Sequence, residues 1–396
     1  MVQSDQKPVH ICFVAPKAYS ALSVAADARH IGGAEVQQTL IAQGLLNLGY
    51  RVSFIVQDHG QPDAFEAKGI TVYRSYRPDA GLPHARFLHP RLTGLWSAMT
   101  RADADVYYQR TSDPLTGIVA AFARAHRRPF VFSVGHDGDC NPDLPFCHGR
   151  RERILYLFGL KRANAIVAQT LRQKQQLLAH YGIEATVIHS CVALSTGQPR
   201  VSPAAIGLRP RLLWVGRFAP EKRLELLLDV APRCPRVDFV VIGDGPPDDY
   251  VRQLTRRAAA IANVRLAGYV PHRQMPQYYQ TAVALICTSS SEGFPNVFLE
   301  AWVRGLPLVT TFDPDDIVAH GRFGIVAHHA DTLVDAVNRI AFDRRLWSQM
   351  SDASYDYSRQ HHTIEVVSRS YDTLLRTLCE TAAPLRRRGH ASFLLR

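Results

Sequence analysis

Two stretches near the start of the chain decide the fold: "VHICFVAP", Val9 to Pro16, and "GGAEVQQTLIAQGLLNLGYRVSFIV", Gly32 to Val56. The first predicts a short apolar strand, and the second predicts a helix that Gly49 ends before another strand. The helix prediction rests on apolar residues at helical spacing: Val36, Leu40, Ile41, Leu45 and Leu48. A strand, a glycine turn, a helix and a strand together begin a parallel, doubly wound sheet.

The same alternation restarts in the second half of the chain, with the strands "RLLWVGRF" from Arg211 and "VDFVVIGDGP" from Val237. Between the halves, Ala193–Pro210 is rich in Ser, Gly and Pro, as interdomain linkers are. We therefore expect an α/β fold with two doubly wound domains facing a central cleft. The expected segments are an N-terminal domain (1–195), a linker (196–210), a second domain (211–365) and a C-terminal segment (366–396). The last segment is expected to form a helix that could return to the first domain, followed by a basic tail.

Composition excludes several classes of protein. The chain has 396 residues, 46% of them hydrophobic, and seven scattered cysteines, an odd number that argues against a disulfide framework. No apolar run approaches the roughly 20 residues that span a bilayer, and the polar start "MVQSDQKP" is not a signal peptide, so a cytoplasmic location is expected. The net charge is +11, but no nucleic-acid-binding signature occurs, so nucleic acid is not an expected partner.

The stretch "SEGFPNVFLEAW", Ser291–Trp302, holds two glutamates on either side of a predicted helix start. Pro295 suits the first turn of a helix, where free backbone N–H groups attract a phosphate. Glu292 in the loop and Glu300 in the helix would repel that phosphate but could accept hydrogen bonds from hydroxyl groups. A diphosphate with hydroxyls on both sides is a nucleotide sugar. The alternative is two solvated surface glutamates.

Two further loops fit the same ligand. Arg217 and Lys222, in "VGRFAPEKRLELLLD", follow a strand and could neutralise a departing diphosphate. Gly33 in "GGAE" and Gly243 in "GDGP" would let the backbone approach a ligand closely, although each could instead mark only a tight turn.

Together, in this order, these stretches resemble the family 4 retaining glycosyltransferases, which have the GT-B fold with two Rossmann-like domains. The resemblance runs from "ICFVAP" to about Leu375, and the two glutamates fit that family's Glu-x7-Glu pattern. It implies catalytic roles for four residues: Glu292, Arg217, Lys222 and His136. It implies donor binding by Gly33, Arg217, Lys222, Gly243, Gly293, Phe294, Pro295, Asn296, Val297 and Glu300.

Within this resemblance, the diphosphate would lie on Arg217 and Lys222, the ribose on Glu300, and the sugar on Glu292 and the loop that follows it. His136, in "VGHDGDC", stands where the family has a histidine close to the reacting sugar, and the alternative is an ordinary surface-loop histidine. Where many members have Asn-Gly-Val-Asp, this chain has "SCVA", 190–193.

The resemblance implies sugar transfer from a nucleotide-diphosphate sugar, with retention, to a hydroxyl acceptor such as a lipid-linked saccharide or glycolipid in polysaccharide or cell-envelope biosynthesis. No cofactor or metal is expected. Metal ligation by His136, Cys140, Cys147 and His148, or by an Asp-x-Asp stretch, is the weaker alternative, because the spacings match no paired motif. The alternatives for function are a nucleotide-sugar epimerase of the same fold and an inactive scaffold homologue.

Between Arg74 and Arg101 the chain carries five arginines and a single acidic residue, Asp79. The stretch "RFLHPRLTGLWSAM", from Arg86 to Met99, mixes arginines with Leu and Trp, which suits a membrane surface. We therefore expect that residues 74–101 could hold the protein peripherally on an anionic membrane, at the inner face. The alternative is an amphipathic helix packed on its own domain.

Overall fold

The computed structural model describes residues 8–22, 32–81, 85–194, 200–202 and 209–391, with side chains to residue 381. Most of the expected linker, 196–210, lies outside these ranges, as do residues 82–84 and the side chains of the basic tail. Within the described residues the chain forms two compact units. The first runs to Cys191 and resumes at Ile364, and the second is Val192–Thr363.

Strands and helices alternate along most of the described chain. The strands are β1 His10–Val14, β2 Arg51–Val56, β3 Ala64–Ala67, β4 Ile70–Arg74, β5 Val106–Arg110, β6 Phe130–Ser133, β7 Ala165–Ala168, β8 Thr186–Val187, β9 Arg211–Val215, β10 Asp238–Ile242, β11 Val264–Gly268, β12 Ala284–Cys287, β13 Leu308–Thr310 and β14 Gly324–Val326. The helices are α1 Tyr19–Leu22, α2 Gly33–Asn47, α3 Thr93–Ala102, α4 Pro114–Ala125, α5 Arg150–Arg162, α6 Leu171–Tyr181, α7 Leu224–Val230, α8 Asp249–Ala259, α9 Met275–Gln280, α10 Asn296–Trp302, α11 Ile317–Gly321, α12 Ala330–Phe342, α13 Arg344–His361 and α14 Ile364–Ala391.

The first unit is built on one sheet with the strand order β3-β4-β2-β1-β5-β6-β7-β8. Its described strand pairs are parallel except β3 with β4. All five residues of β1 are buried, because hydrophobic clusters cover both faces of the sheet. The C-terminal helix α14 belongs to this unit, and its Val367, Tyr371 and Leu375 join the same cluster as Ile41 and Leu45 of α2.

The second unit holds a parallel sheet with the strand order β11-β10-β9-β12-β13-β14. From β9 the chain winds outward through β10 to β11, and it then returns to β12, on the other side of β9, and winds the opposite way. The direction of winding reverses between β9 and β12, and ligands of such sheets bind beyond the carboxyl ends of the strands at that point. The residues that follow β9 and β12 are therefore the first place to look for a site.

The helices of both units pack their apolar faces on these sheets. In α7, Leu224, Leu227 and Leu228 are buried in the core of the second unit. Among the residues that the structure describes, no helix is both long enough and apolar enough to cross a bilayer.

Candidate functional site

The reversal point of the second sheet brings together two loops, 216–223 after β9 and 288–293 after β12. The Ser290 N–H donates to the Glu221 carbonyl at 2.8 Å. Arg223 Nε donates to the Thr288 carbonyl at 2.7 Å. Because these bonds join the two loops directly, Lys222 after β9 and Glu292 after β12 are held close together.

Thr288 is the centre of this connection. Its hydroxyl accepts a hydrogen bond from Trp214 Nε1 at 2.9 Å and donates to the Lys222 carbonyl at 2.7 Å. Trp214 and Thr288 are 2% and 0% exposed. Buried polar groups with both partners supplied stabilise a single arrangement, so the backbone at Lys222 is fixed relative to β12.

Lys222 and Glu292 form an ion pair, in which Lys222 Nζ donates to Glu292 Oε1. Ser289 Oγ donates to the same oxygen at 2.7 Å. The two charged side chains are 20% and 12% exposed. Among the described residues Glu292 Oε2 has no hydrogen-bond partner, and the Lys222 ammonium has further N–H donors. The pair can therefore accept a hydroxyl group on one side and donate to an anion on the other.

Arg217 does not join this cluster. Its side chain is 79% exposed, and Nη2 lies 3.5 Å from Glu221 Oε1, four residues along the chain. An exposed pair of this kind is weak, so the guanidinium remains available to a ligand at the edge of the loop.

Gly243, which was assigned to donor binding, has a structural requirement of its own. It follows β10 with a φ of 133°, and a Cβ at this position would overlap the Gly216 carbonyl oxygen. The Phe218 N–H donates to the Asp244 carbonyl at 2.7 Å beside this contact. The glycine thus lets the loops after β9 and β10 lie side by side.

The segment Gly293–Val297 connects Glu292 to helix α10. The helix begins at Asn296 and Pro295 caps it, one residue later than the sequence pattern predicted. Phe294 is 6% exposed and packs against the rings of Trp302 and His362 at centroid distances of 6.2 and 5.2 Å. The backbone at 293–295 is consequently held by a side chain anchored in the core.

Glu300 lies within α10 and forms a second polar group. Tyr279 donates its hydroxyl to Glu300 Oε2 at 2.8 Å, and His272 Nε2 lies 3.5 Å from Oε1. The hydrogen bond to Glu300 raises the pKa of His272 above its ordinary value. Burial, reinforced by the charge of Glu300, raises the pKa of Tyr279 well above its ordinary range, so this phenol is a donor at neutral pH.

The first unit holds the remaining two predicted residues. His136 follows β6, and its Nδ1 accepts from the Gly138 N–H at 3.0 Å, so the neutral ring carries its proton on Nε2. The buried carboxylate of Asp139 accepts from the Gly135 N–H at 2.8 Å and from Ser112 Oγ at 2.7 Å, which fixes the loop that carries His136. Gly33 is exposed in the first turn of α2.

The stretch expected at a membrane packs mostly on its own unit. Leu95 is buried, and Trp96 packs edge-on against Phe122 at 5.0 Å. Of its large apolar residues, Leu88 alone is exposed among those the structure describes. Leu95 belongs to a hydrophobic cluster of the first unit, and Leu92 and Trp96 are partly buried against it.

Cys140 and Cys147 are buried thiols, and burial raises the pKa of Cys147 to about 11. Among the described residues, no group of three His, Cys, Asp or Glu side chains is arranged to hold a metal ion.

Sequence reasoning missed several residues around the two glutamates. These are Thr288 and Ser289, which organise the Lys222–Glu292 pair, and His272, Tyr279 and Arg304 around Glu300. Arg304 stands four positions after Glu300 and donates to its carbonyl at 2.6 Å, a contact that helical spacing could have indicated. Tyr279 lies in α9 and His272 in the turn before it, and no sequence spacing links either residue to Glu300.

The sequence matches two family models that together cover most of the chain. The model described as Glycosyltransferase Family 4 matches residues 31–196, and the one described as Glycosyl transferases group 1 matches residues 209–343. The chain belongs to glycosyltransferase family 4.

Two relatives illustrate the range of this family. A Bacillus subtilis (strain 168) protein named for teichuronic acid biosynthesis, the glycosyltransferase TuaC, is 24% identical over 75% of this chain and 77% of its own length. The lipopolysaccharide core biosynthesis glycosyltransferase LpsE of Rhizobium meliloti (strain 1021) is 25% identical over 42% of this chain. That match spans 49% of LpsE, so about half of its length has no counterpart in the alignment.

Solved structures of similar proteins show that the fold is GT-B. Sucrose-phosphate synthase from Thermosynechococcus elongatus superposes with a TM-score of 0.76 and 16% identity, covering 94% of this chain and 100% of that one. Anabaena Alr3699/HepE, in a structure with UDP and glucose, gives a TM-score of 0.73 and 18% identity over 93% of this chain and 100% of that chain. The chain shares their α/β architecture.

Proposed function

We propose that this chain transfers a sugar from a nucleoside-diphosphate sugar to a hydroxyl acceptor, with retention of anomeric configuration and without a metal ion. The observation that carries the proposal is the cluster of Lys222, Ser289 and Glu292 at the reversal point of the second sheet. A cation, a carboxylate and a loop of fixed backbone converge there, where doubly wound sheets bind ligands.

The diphosphate of the donor binds on the cationic side of this cluster. Its negative charge grows as the bond to the sugar breaks, and Lys222 and the exposed Arg217 oppose that charge. Groups fixed in advance are effective because they need no reorganisation during the reaction. Thr288 fixes the backbone at Lys222 by donating a hydrogen bond to its carbonyl.

The hydroxyl groups of the donor bind the carboxylates of Glu292 and Glu300. Glu292 Oε2 accepts from the donor sugar, and the backbone of Gly293, Phe294 and Pro295 lines the same position. Glu300 accepts from the ribose, with Tyr279 and His272 orienting its carboxylate. Asn296 and Val297, half-buried in the first turn of α10, complete this side of the donor site, and Gly243 borders the diphosphate.

Retention follows a same-face route. The departing phosphate oxygen takes the proton of the acceptor hydroxyl as that hydroxyl attacks the sugar carbon, so neither a protein nucleophile nor a metal is needed. His136, whose Nε2 carries a proton available for donation, and Gly33 keep the roles that the family resemblance implies. The relatives named for lipopolysaccharide and teichuronic acid synthesis support a saccharide or lipid-linked saccharide of the cell envelope as acceptor.

A donor panel tests the proposal. UDP-, GDP- and ADP-sugars are incubated with and without saccharide and lipid-linked acceptors, in buffer with and without EDTA, and nucleotide release is measured. We expect release only with an acceptor, undiminished by EDTA, and an NMR spectrum in which the product keeps the donor's anomeric configuration. Formation of an epimer of the donor sugar without an acceptor would show that the protein is an epimerase and not a transferase. If no donor is turned over, the result would favour an inactive scaffold homologue.

A further inference from the structure

Helix α5, in the first unit, exposes apolar side chains to solvent. Ile154 is 66% exposed and Phe158, one turn later, is 37% exposed. Leu88, in the neighbouring turn Phe87–Leu92, is 61% exposed. Ile154 and Leu88 are the two most exposed large hydrophobic side chains in the part of the chain that the structure describes. A group of this kind on one unit indicates an interaction surface.

Helix α5 cannot rotate to bury these residues, because its opposite face is already packed. Tyr156, Gly159 and Leu160 are buried there. A Cβ at Gly159 would collide with the backbone of Thr116 in α4, so the two helices lie in very close contact. This contact fixes the rotation of α5 about its axis, and Ile154 and Phe158 are therefore held on the solvent side.

Cations flank the apolar residues at both ends of the helix. Arg150 and Arg151 are exposed in the first turn, and Lys161 and Arg162 in the last. The Arg151 guanidinium lies over the Phe87 ring, 4.1 Å from its centroid. This contact joins the turn that carries Leu88 to the start of α5, the helix that carries Ile154 and Phe158.

A basic cavity of about 590 Å³ opens at the C-terminal end of α5. Its cationic lining is Arg124, Arg127, Arg128, Lys161 and Arg162. Arg128 pairs with Asp103 and Asp105, at 2.8 and 3.1 Å. Among the described residues, no carboxylate lies within 4.0 Å of the other four. Unpaired cations around a cavity attract anions from solution.

We propose that the α5 surface, meaning the exposed apolar residues Leu88, Ile154 and Phe158 with the cations of α5 and of the basic cavity, docks on an anionic lipid bilayer. The apolar side chains enter the boundary between headgroups and acyl chains, the flanking cations contact headgroup phosphates, and the cavity receives one headgroup. A bilayer is the occupant because apolar anchors ringed by cations complement its apolar interior and anionic surface.

This inference goes beyond the proposed function and stands apart from it, since it concerns a surface outside the catalytic cluster. The α5 surface keeps Leu88 from the stretch 74–101, which the sequence pattern favours for membrane contact, and its other two apolar residues lie on α5.

Vesicle co-sedimentation tests the proposal with the full chain. At 0.1 M salt we expect binding to vesicles that contain phosphatidylglycerol and little binding to pure phosphatidylcholine, with attraction falling as salt shortens the screening length of about 10 Å. Each cation near an anionic membrane strengthens binding about fivefold, so Arg127→Glu/Lys161→Glu should weaken it about 25-fold or more. Ile154→Ser/Phe158→Ser should weaken it about tenfold or more.

Matched variants separate this surface from general charge and hydrophobicity. Arg256→Glu/Arg265→Glu makes the same change in net charge on exposed residues of the second unit, and Leu48→Ser/Tyr269→Ser removes exposed apolar side chains elsewhere. Both controls should bind like the parent, and thermal unfolding should show all variants folded. Equal weakening by the controls, undiminished binding by the α5 variants, or binding to duplex oligonucleotide with none to anionic vesicles would overturn the proposal.

Discussion

Lys222 and Glu292 form an ion pair across the reversal point of the second sheet, although they are 70 residues apart in sequence. The pair joins a residue assigned to the diphosphate with one assigned to the sugar. It means that the free protein already holds the cation and the carboxylate in contact, at 20% and 12% exposure, with further hydrogen-bonding capacity on both. Donor binding would then use groups that are already in place.

Replacing Lys222 tests this arrangement. We expect Lys222→Ala to lower donor turnover about 10²–10³-fold, because one preorganised charge-stabilising group is lost. The fold should persist, since Lys222 lies in the loop 216–223 and outside the hydrophobic core. Lys174→Ala, which removes an exposed lysine paired with Glu184 in the first unit, is the control and should leave turnover unchanged. Near-parental turnover in Lys222→Ala would remove this residue from the diphosphate site.

Thr288 should matter for stability as well as for the site. Thr288→Val keeps the shape but leaves the Trp214 indole N–H and the Lys222 carbonyl without their buried partner. We expect the free energy of unfolding to fall by about 2 kcal/mol, since each unsatisfied buried group costs about 1–3 kcal/mol. Thr255→Val, on an exposed face of α8, should change it by less than about 0.5 kcal/mol. Equal denaturation midpoints for the two variants would refute the role given to Thr288.

Gly243 should tolerate no side chain. Gly243→Ala places a Cβ onto the Gly216 carbonyl at a φ of 133°, so we expect a loss of about 3 kcal/mol or more in urea unfolding. Gly149→Ala is the matched control, because no atom lies within 4 Å of its added Cβ and its φ is −134°. If both variants unfold at the same urea concentration, the close approach of the loops after β9 and β10 is not required.

The order of strands and helices could be predicted from the sequence, but their neighbours in space could not. Short apolar runs and glycine turns indicated two doubly wound sheets, and "RLLWVGRF" and "VDFVVIGDGP" became β9 and β10. Nothing in those runs says that β12 lies beside β9, so the Lys222–Glu292 contact depended on a strand order that only the folded chain provides.

The same limit explains the two sets of missed contacts. Tyr279 and His272 reach Glu300 from α9 and the turn before it, and neither residue type is unusual at such positions. Trp96 and Leu95 have a spacing that suits either a membrane surface or a core, because a helix with one apolar face gives the same pattern in both. Burial decides between them, and burial depends on the neighbouring elements.

The contact between His272 and Glu300 can be measured by NMR titration. The carboxylate favours the imidazolium, so the pKa of His272 should lie above its ordinary value of about 6.5 in the parent and fall toward that value in Glu300→Gln. The stabilisation from the pair should be full below pH of about 6.5 and lost as pH rises through the raised pKa. An unchanged His272 titration in Glu300→Gln would show that the two side chains do not interact in solution.

The central claim is that the second unit binds a nucleoside diphosphate, with Lys222 on the phosphates and Glu300 on the ribose. Calorimetric titration of UDP, GDP, ADP and pyrophosphate into the parent, Lys222→Ala and Glu300→Ala tests it most directly. We expect one nucleoside diphosphate to bind the parent, Lys222→Ala to weaken both that nucleotide and pyrophosphate, and Glu300→Ala to weaken the nucleotide while leaving pyrophosphate unchanged. Nucleotide binding that survives in both variants, or no binding of any nucleotide to the parent, would contradict the account.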